Sequence, residues 1–214
     1  MEENITIIKN WLGTGSINIF GLPLSGKDTV GIRLAETLSA KLLSSGLIIR
    51  EMAKQKTDGY SENHYATGIL TPIDLFQKWV LPYFGRPDLA EYPLILSSVG
   101  RWFGEELAVL DAAENANHPI KAVLLLNISE QDVRNRWDAA KLIGDRKDRL
   151  DDSKPEIFET RLREFRIKTM PVIQTYRNLG LLVSVNADQS KEEVFKEVVQ
   201  KLAEFAVSQE SPSS

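Results

Sequence analysis

The apolar residues of this chain fall into two alternating patterns. Short runs read as buried strands: Ile17, Ile19 and Phe20 stopped by Gly21, then Pro93–Leu96 and Lys121–Asn127, with Val183–Asn186 as the final strand. Between them the spacing turns helical. Val30, Leu34, Leu38 and Leu42 stand four apart and predict a helix from Asp28 to about Leu43. Further helices are predicted over Ile73–Leu81, from Phe103 to about Glu114, and from the cap Ser129 through Val133 to Trp137. A last long helix is expected to start at Arg161, and a closing one to span Lys191–Ala206. Ile5, Ile8, Trp11 and Leu12 mark a short amphipathic helix closed by Gly13 and Gly15, with core packing favoured over an interface role. Lys121–Asn127 is almost continuously apolar, as a strand covered on both faces must be. Strands alternating with helices predict a three-layer α/β/α domain around a parallel sheet of about five strands. Its expected limits are 16–206, after an extension at 1–15 and before a disordered tail at 207–214.

The stretch between the first strand and the first long helix carries the strongest chemistry. Gly21-Leu-Pro-Leu24-Ser25-Gly26-Lys27 matches G-x-x-x-x-G-K, and a strand precedes it while a helix follows. Such a P-loop points backbone N–H groups and a helix N-terminus at an anion, and its lysine adds a mobile positive charge. A Gly-rich turn without function is the bland alternative, and the flanks on both sides argue against it. The residue after Lys27 is Asp28 rather than a hydroxyl, which comes one later at Thr29.

Composition narrows the class. A net charge of -4 gives no support for a nucleic-acid or anionic-membrane surface. The absence of cysteine excludes disulfides, thiolate metal sites and thiol nucleophiles. Met1-Glu-Glu lacks the basic start of a signal peptide, and no apolar run reaches membrane-spanning length. A cytoplasmic monomeric enzyme, with no nucleic-acid or membrane partner and no organic cofactor, is the expectation. His64 lacks a partner at metal spacing and is read as a surface histidine.

Several further segments fall in a telling order. Ser44-Ser45-Gly46 leads to Arg50, Gly68-Ile69-Leu70-Thr71-Pro72 opens the next helix, and Ser97-Ser98-Val-Gly-Arg101 follows a strand. Arg149-Leu-Asp151-Asp152 and Arg161-Leu, ending in Thr169-x-Pro171, come later. With the P-loop, this ordered set, from Ile17 to about Val199, resembles the adenylate kinases, nucleoside monophosphate kinases of the P-loop fold, in their short-lid form. The resemblance implies a mobile acceptor-binding arm at about 44–73 and a short lid at about 137–150.

It also implies roles. Leu24, Ser25, Gly26, Lys27, Asp28 and Thr29 would bind ATP, with Mg2+ near Thr29 and Asp28, and Arg136 would cover the donor base. Ser45, Arg50, Ile69, Leu70, Thr71, Ser98, Arg101 and Glu105 would hold the acceptor monophosphate. Lys27, Arg136, Arg149 and Arg161 would surround the transferring group, Arg149 and Arg161 also meeting the acceptor, while Asp151 and Asp152 orient the lid arginines. The implied reaction is ATP + AMP = 2 ADP.

Three departures from the family pattern stand out. Ser97 replaces an aspartate near the metal, Asp28 replaces a small glycine, and Glu105 replaces the glutamine that reads the acceptor base. Asp28 is expected to carry part of the metal-orienting charge missing at Ser97. An ionised Glu105 only accepts hydrogen bonds, which would favour guanine, uracil or thymine, whereas a protonated one would again read adenine. A GMP, UMP or TMP kinase and a catalytically weak nucleotide-binding regulatory module are the alternatives.

Overall fold

The computed structural model describes residues 1–143 and 154–210. Five parallel strands form one sheet in the order β2-β3-β1-β4-β5. They are β1 (Ser16–Gly21), β2 (Lys41–Ser44), β3 (Leu94–Ser97), β4 (Ile120–Asn127) and β5 (Leu182–Asn186). All six residues of β1 and all four of β3 are buried, as the central position in a doubly covered sheet requires.

Two hydrophobic layers cover the sheet. One is built from α1 (Glu2–Leu12), α2 (Lys27–Leu38), α7 (Glu130–Leu142) and α10 (Lys191–Glu210) against Ile17, Ile19 and Leu124. The other comes from α3 (Ser45–Lys54), α5 (Ile73–Trp79), α6 (Glu105–Asn115) and α9 (Met170–Asn178) against Phe20, Leu96 and Val123. The short α4 (Glu62–Tyr65) sits in the arm between α3 and α5. Each large side chain so buried contributes roughly 1.5–3 kcal/mol. In α1 the burial of Ile8, Trp11 and Leu12, with Trp11 edge-on to Phe205 of α10, makes the helix part of the core.

Several boundaries differ from the sequence reading. The helix predicted to reach Leu43 stops at Leu38, because Ser39 turns left-handed (φ 57°) and its N–H caps Ala35 and Glu36. Leu42 and Leu43 then pair with Ile95 and Leu96 in an edge strand that the four-residue spacing had concealed. The helix expected from Arg161 begins earlier, as α8 (Pro155–Glu164), with proline at its first turn and Phe158 stacked on Trp137 at 5.3 Å. A π-helical stretch, Phe165–Thr169, joins α8 to α9. Finally, α10 continues to Glu210, so residues 207–210 of the expected tail are helical.

Candidate functional site

The strand order reverses beside β1, and the loops after β1 and β3 flank the crevice at that switch point, where ligands of open α/β sheets bind. The P-loop holds two left-handed residues, Leu24 (φ 63°) and Gly26 (φ 92°), the latter opening α2. At Gly21 a side chain would meet Ser25 Oγ at 2.4 Å, so only glycine lets the loop fold back on the strand. Arg136, on α7, braces the loop from behind. Its guanidinium donates to the carbonyls of Leu24 (3.3 Å), Ser25 (3.4 Å) and Ala187 (2.6 Å).

The loop after β3 is fixed just as tightly. Buried Asn18 donates to the Val99 carbonyl (2.7 Å) and accepts from its N–H (3.2 Å). Ser98, at φ 51°, donates its N–H to Ile19 O, and Ser45 Oγ donates to Ser98 O at 2.8 Å. Arg101 follows, its carbonyl taking a hydrogen bond from Thr169 Oγ1 at 3.3 Å. Across the crevice, Ser97 Oγ donates to Asp28 Oδ1 at 2.9 Å, joining the end of β3 to the start of α2.

The segment from α3 to the start of α5, with α8 against it, closes the third wall. Arg50 of α3 donates to Tyr65 Oη at 2.6 Å. Gly68 (φ 77°) lies so close to α8 that a Cβ would come within 2.7 Å of Ile157 O and 3.1 Å of Arg161 Cγ. Glu164, also on α8, is buried and accepts from the Leu70 N–H at 3.1 Å and from Lys168. Leu70 and Thr71 are buried beneath, while Ile69 remains half-exposed at the rim.

Lys27, Arg50, Arg101 and Arg161 therefore line one cavity, together with Asp28, Ser45, Ser97, Ser98, Ile69 and Leu70. Four cations and a ring of hydroxyl and backbone donors around one cavity make a receptor for several phosphate groups.

Comparison with known proteins agrees. No protein-family model matches the chain. Curated relatives do: the adenylate kinase of Azobacteroides pseudotrichonymphae genomovar. CFP2 is 30% identical over 190 residues, covering 87% of this chain and 96% of that protein. The chain belongs to the adenylate kinase family. The adenylate kinases of Bartonella bacilliformis and Mycobacterium tuberculosis are each 29% identical, covering 79% and 86% of this chain and 90% and 97% of theirs. A gluconokinase from Sinorhizobium meliloti 1021 shares the fold, with a TM-score of 0.61 at 21% identity over 92% of this chain and 95% of that one. Like its adenylate kinase relatives, this chain is a phosphotransferase that moves phosphoryl groups between nucleotides.

Within that family the structure sorts the expected residues. The P-loop lysine and three arginines meet, but Arg136 is committed to backbone carbonyls and stands outside their cavity. Thr29 is exposed and also lies outside it, whereas Asp28 lines it. Arg149, Asp151 and Asp152 lie outside the described residues, as does most of the expected lid after α7.

Glu105 departs from a glutamine-like base reader that presents two groups. Its Oε2 accepts from the N–H groups of Arg101 (2.7 Å) and Trp102 (2.9 Å), so it staples its own loop. Its Oε1 is buried with no hydrogen-bond partner among the described residues, beside a small cavity lined by Ser45, Ile49, Leu70, Thr71 and Trp102. Burial pushes the Glu105 carboxyl up, against the lowering effect of those two N–H groups and of Arg101. One oxygen, not two, is left for a ligand.

Tyr65, Glu164 and Thr169 also line the main cavity, and Trp102 roofs the smaller one, its indole N–H on Thr71 O at 2.9 Å. Sequence reasoning gave none of these a role. Thr169 lay inside a quoted motif, but nothing in the spacing tied Tyr65 to Arg50 or Glu164 to Leu70, contacts made across 15 and 94 residues. His64 is exposed, as expected, and its Nδ1 accepts the Ser61 N–H to cap α4.

Proposed function

We propose that the enzyme transfers the terminal phosphoryl group of ATP reversibly to AMP, giving two ADP. One observation carries this reading: Lys27 of the P-loop and Arg50, Arg101 and Arg161 of the acceptor side line the same cavity. A site for one nucleotide needs one cluster of cations. A cavity joining two clusters suits a phosphoryl group in flight between two nucleotides.

In this reading Gly26 and Lys27, with the N-terminus of α2, hold the donor triphosphate, and Leu24, Ser25 and Thr29 complete its loop. Arg136 sets the loop's shape and flanks the donor nucleotide. Ser45, Ser98, Arg50 and Arg101 fix the acceptor phosphate, and Ile69, Leu70 and Thr71 form the wall beside its base. An oxygen of that phosphate bonds to the γ-phosphorus as the bond to the β–γ bridging oxygen breaks. The attacking oxygen is already deprotonated at neutral pH, so no general base is required, and the role left to the protein is positioning and charge. Arg161 stabilises the charge that spreads over the equatorial oxygens. Arg149 joins it from the lid, with Asp151 and Asp152 orienting the pair, and lid closure excludes water.

Magnesium fits the oxygen donors present. Among the described residues no cluster of three or more acidic or histidine side chains could cage a metal alone. Mg2+ bound mainly through nucleotide phosphates and water needs only one or two carboxylates, and Asp28 lines the cavity. When bound, the ion neutralises charge on the outer phosphates.

AMP is the favoured acceptor because the relatives named above are adenylate kinases. The lone Oε1 of Glu105 favours a second reading, a base with a ring N–H such as guanine. No helix among the described residues is long and apolar enough to cross a membrane. A cytoplasmic monomer remains our working proposal, resting on composition. The test is ADP formation from ATP and Mg2+ with AMP, GMP, CMP, UMP and TMP in parallel. AMP should be turned over fastest, and Lys27→Met should lower kcat about 10³-fold. Faster turnover of GMP or UMP would replace AMP and make Glu105 the specificity residue.

A further inference from the structure

We infer that Asp28 is the protein's carboxylate for the nucleotide-bound magnesium, held in position by Ser97. This rests on the nucleotide-site reading above and adds to it the orienting role of Ser97. The argument begins with charge. Asp28 is half-buried and lines the same cavity as Lys27, Arg50, Arg101 and Arg161. Even among those four side-chain cations a carboxylate opposes a phosphate bound beside it, and a divalent ion held between the two turns that repulsion into attraction.

Position agrees with charge. In G-x-x-x-x-G-K-[ST] the residue after the lysine carries the oxygen that meets Mg2+. That residue is Asp28 in this chain, and the hydroxyl of Thr29 is exposed and outside the cavity. An anionic oxygen is a harder and stronger magnesium donor than a hydroxyl.

The third observation is the orienting contact. Ser97, buried at the C-terminal end of β3, donates its Oγ to Asp28 Oδ1 at 2.9 Å. Carboxylates that serve metals are commonly held in this way by a second polar group. The plainer account is an aspartate favoured in the first turn of α2 by the helix dipole. It gives no reason to place the acid inside the phosphate cavity, and none for the serine on it.

The experiment is calorimetric titration of ADP into the full-length protein, in Mg2+ and in EDTA, compared as the ratio of the two dissociation constants. Asp28→Asn keeps an acceptor for Ser97 Oγ and removes the charge. It should bind metal-free ADP more tightly and Mg-ADP more weakly, lowering the metal preference about tenfold. Ser97→Ala, which keeps the charge and loosens its orientation, should lower that preference by a smaller factor. Asp28→Asn combined with Ser97→Asp should restore it, by supplying the carboxylate from the other side of the same contact. An Asp28→Asn ratio within twofold of wild type overturns the inference, as does a loss of both affinities in parallel, which marks a structural role. Wild-type protein that binds no ADP in either buffer would instead overturn the nucleotide-site reading itself, and this inference with it.

Discussion

The two sides of the phosphate cavity are built in opposite ways. The P-loop side is one continuous stretch, 21 to 29, hung between a fully buried central strand and the first turn of α2. The opposite side, the proposed acceptor side, is assembled from four separate pieces: α3 with Arg50, the 68–70 segment, the loop after β3 with Arg101, and α8 with Arg161 and Glu164. The first is shaped mainly by its own backbone geometry, with Arg136 of α7 bracing it from behind. The second exists only while long-range contacts such as Glu164–Leu70 and Thr169–Arg101 hold. The difference predicts that changes on the two sides will register in different kinetic constants.

The largest contrast should come from exchanging cations. Lys27→Met removes a charge that acts on the transferring group and should lower kcat for every acceptor alike. Arg101→Lys keeps the charge but loses the planar fork that grips two phosphate oxygens. It should lower kcat/KM for the nucleoside monophosphate about 10²-fold while the KM for ATP stays within about threefold, each being 1.4 kcal/mol per decade. Steady-state kinetics with each substrate varied in turn decides it. Equal losses toward both substrates would erase the proposed division between the two sides.

The same division governs what was legible in the sequence. The P-loop could be read outright, because its function is written in adjacent residues whose spacing is fixed by backbone geometry. The strands β1, β3 and β4, buried apolar runs, and the half-buried β5 were legible for the same reason. The edge strand β2 was not, since Lys41–Ser44 is short and half-solvated, and Leu42 continues the four-residue spacing of α2 by coincidence. On the acceptor side the arginines could be picked out by order and spacing, but their supports could not. Tyr65 on Arg50 and Glu164 on the Leu70 amide depend on tertiary approach, and no local pattern encodes that. Glu105 shows the limit from the other direction. Its place after Arg101 at the start of α6 was readable, yet the stapling of its Oε2 to two amides of its own loop was not.

A smaller effect should follow from Gly68. Its left-handed backbone and the 2.7 Å approach of a notional Cβ to Ile157 O mean that Gly68→Ala must either strain the turn or push the arm off α8. The cost is about 1–3 kcal/mol, borne mostly at the arm rather than by the sheet. Acceptor KM should rise several-fold, and hydrogen exchange should accelerate at Leu70, whose amide would lose Glu164. Protection in β1 and β4 should be unchanged. Acceleration spread evenly through the sheet would show that the arm is no separate unit.

The smallest effect is a pH dependence confined to the acceptor side. Glu105 titrates above its usual 4.5 because burial disfavours its charge, with neighbouring Glu106 adding to the rise and Arg101 and two N–H groups opposing it. An acid with a raised folded pKa binds its proton more readily folded than unfolded. Stability therefore falls as pH rises from about 4.5 through the folded value and is level above it. Glu105→Gln keeps an oxygen for the Arg101 and Trp102 amides and abolishes the titration. Its melting temperature relative to wild type should climb across that window and then plateau. The acceptor KM should change over the same pH range in wild type only, since protonated Oε1 donates where ionised Oε1 accepts, and the ATP KM should not follow. A stability difference that is flat from pH 4 to 8 would mean that folding leaves the carboxyl at its ordinary value, and so ionised at neutral pH. Glu105 would then meet its ligand only as an acceptor, which favours a base with a ring N–H over adenine.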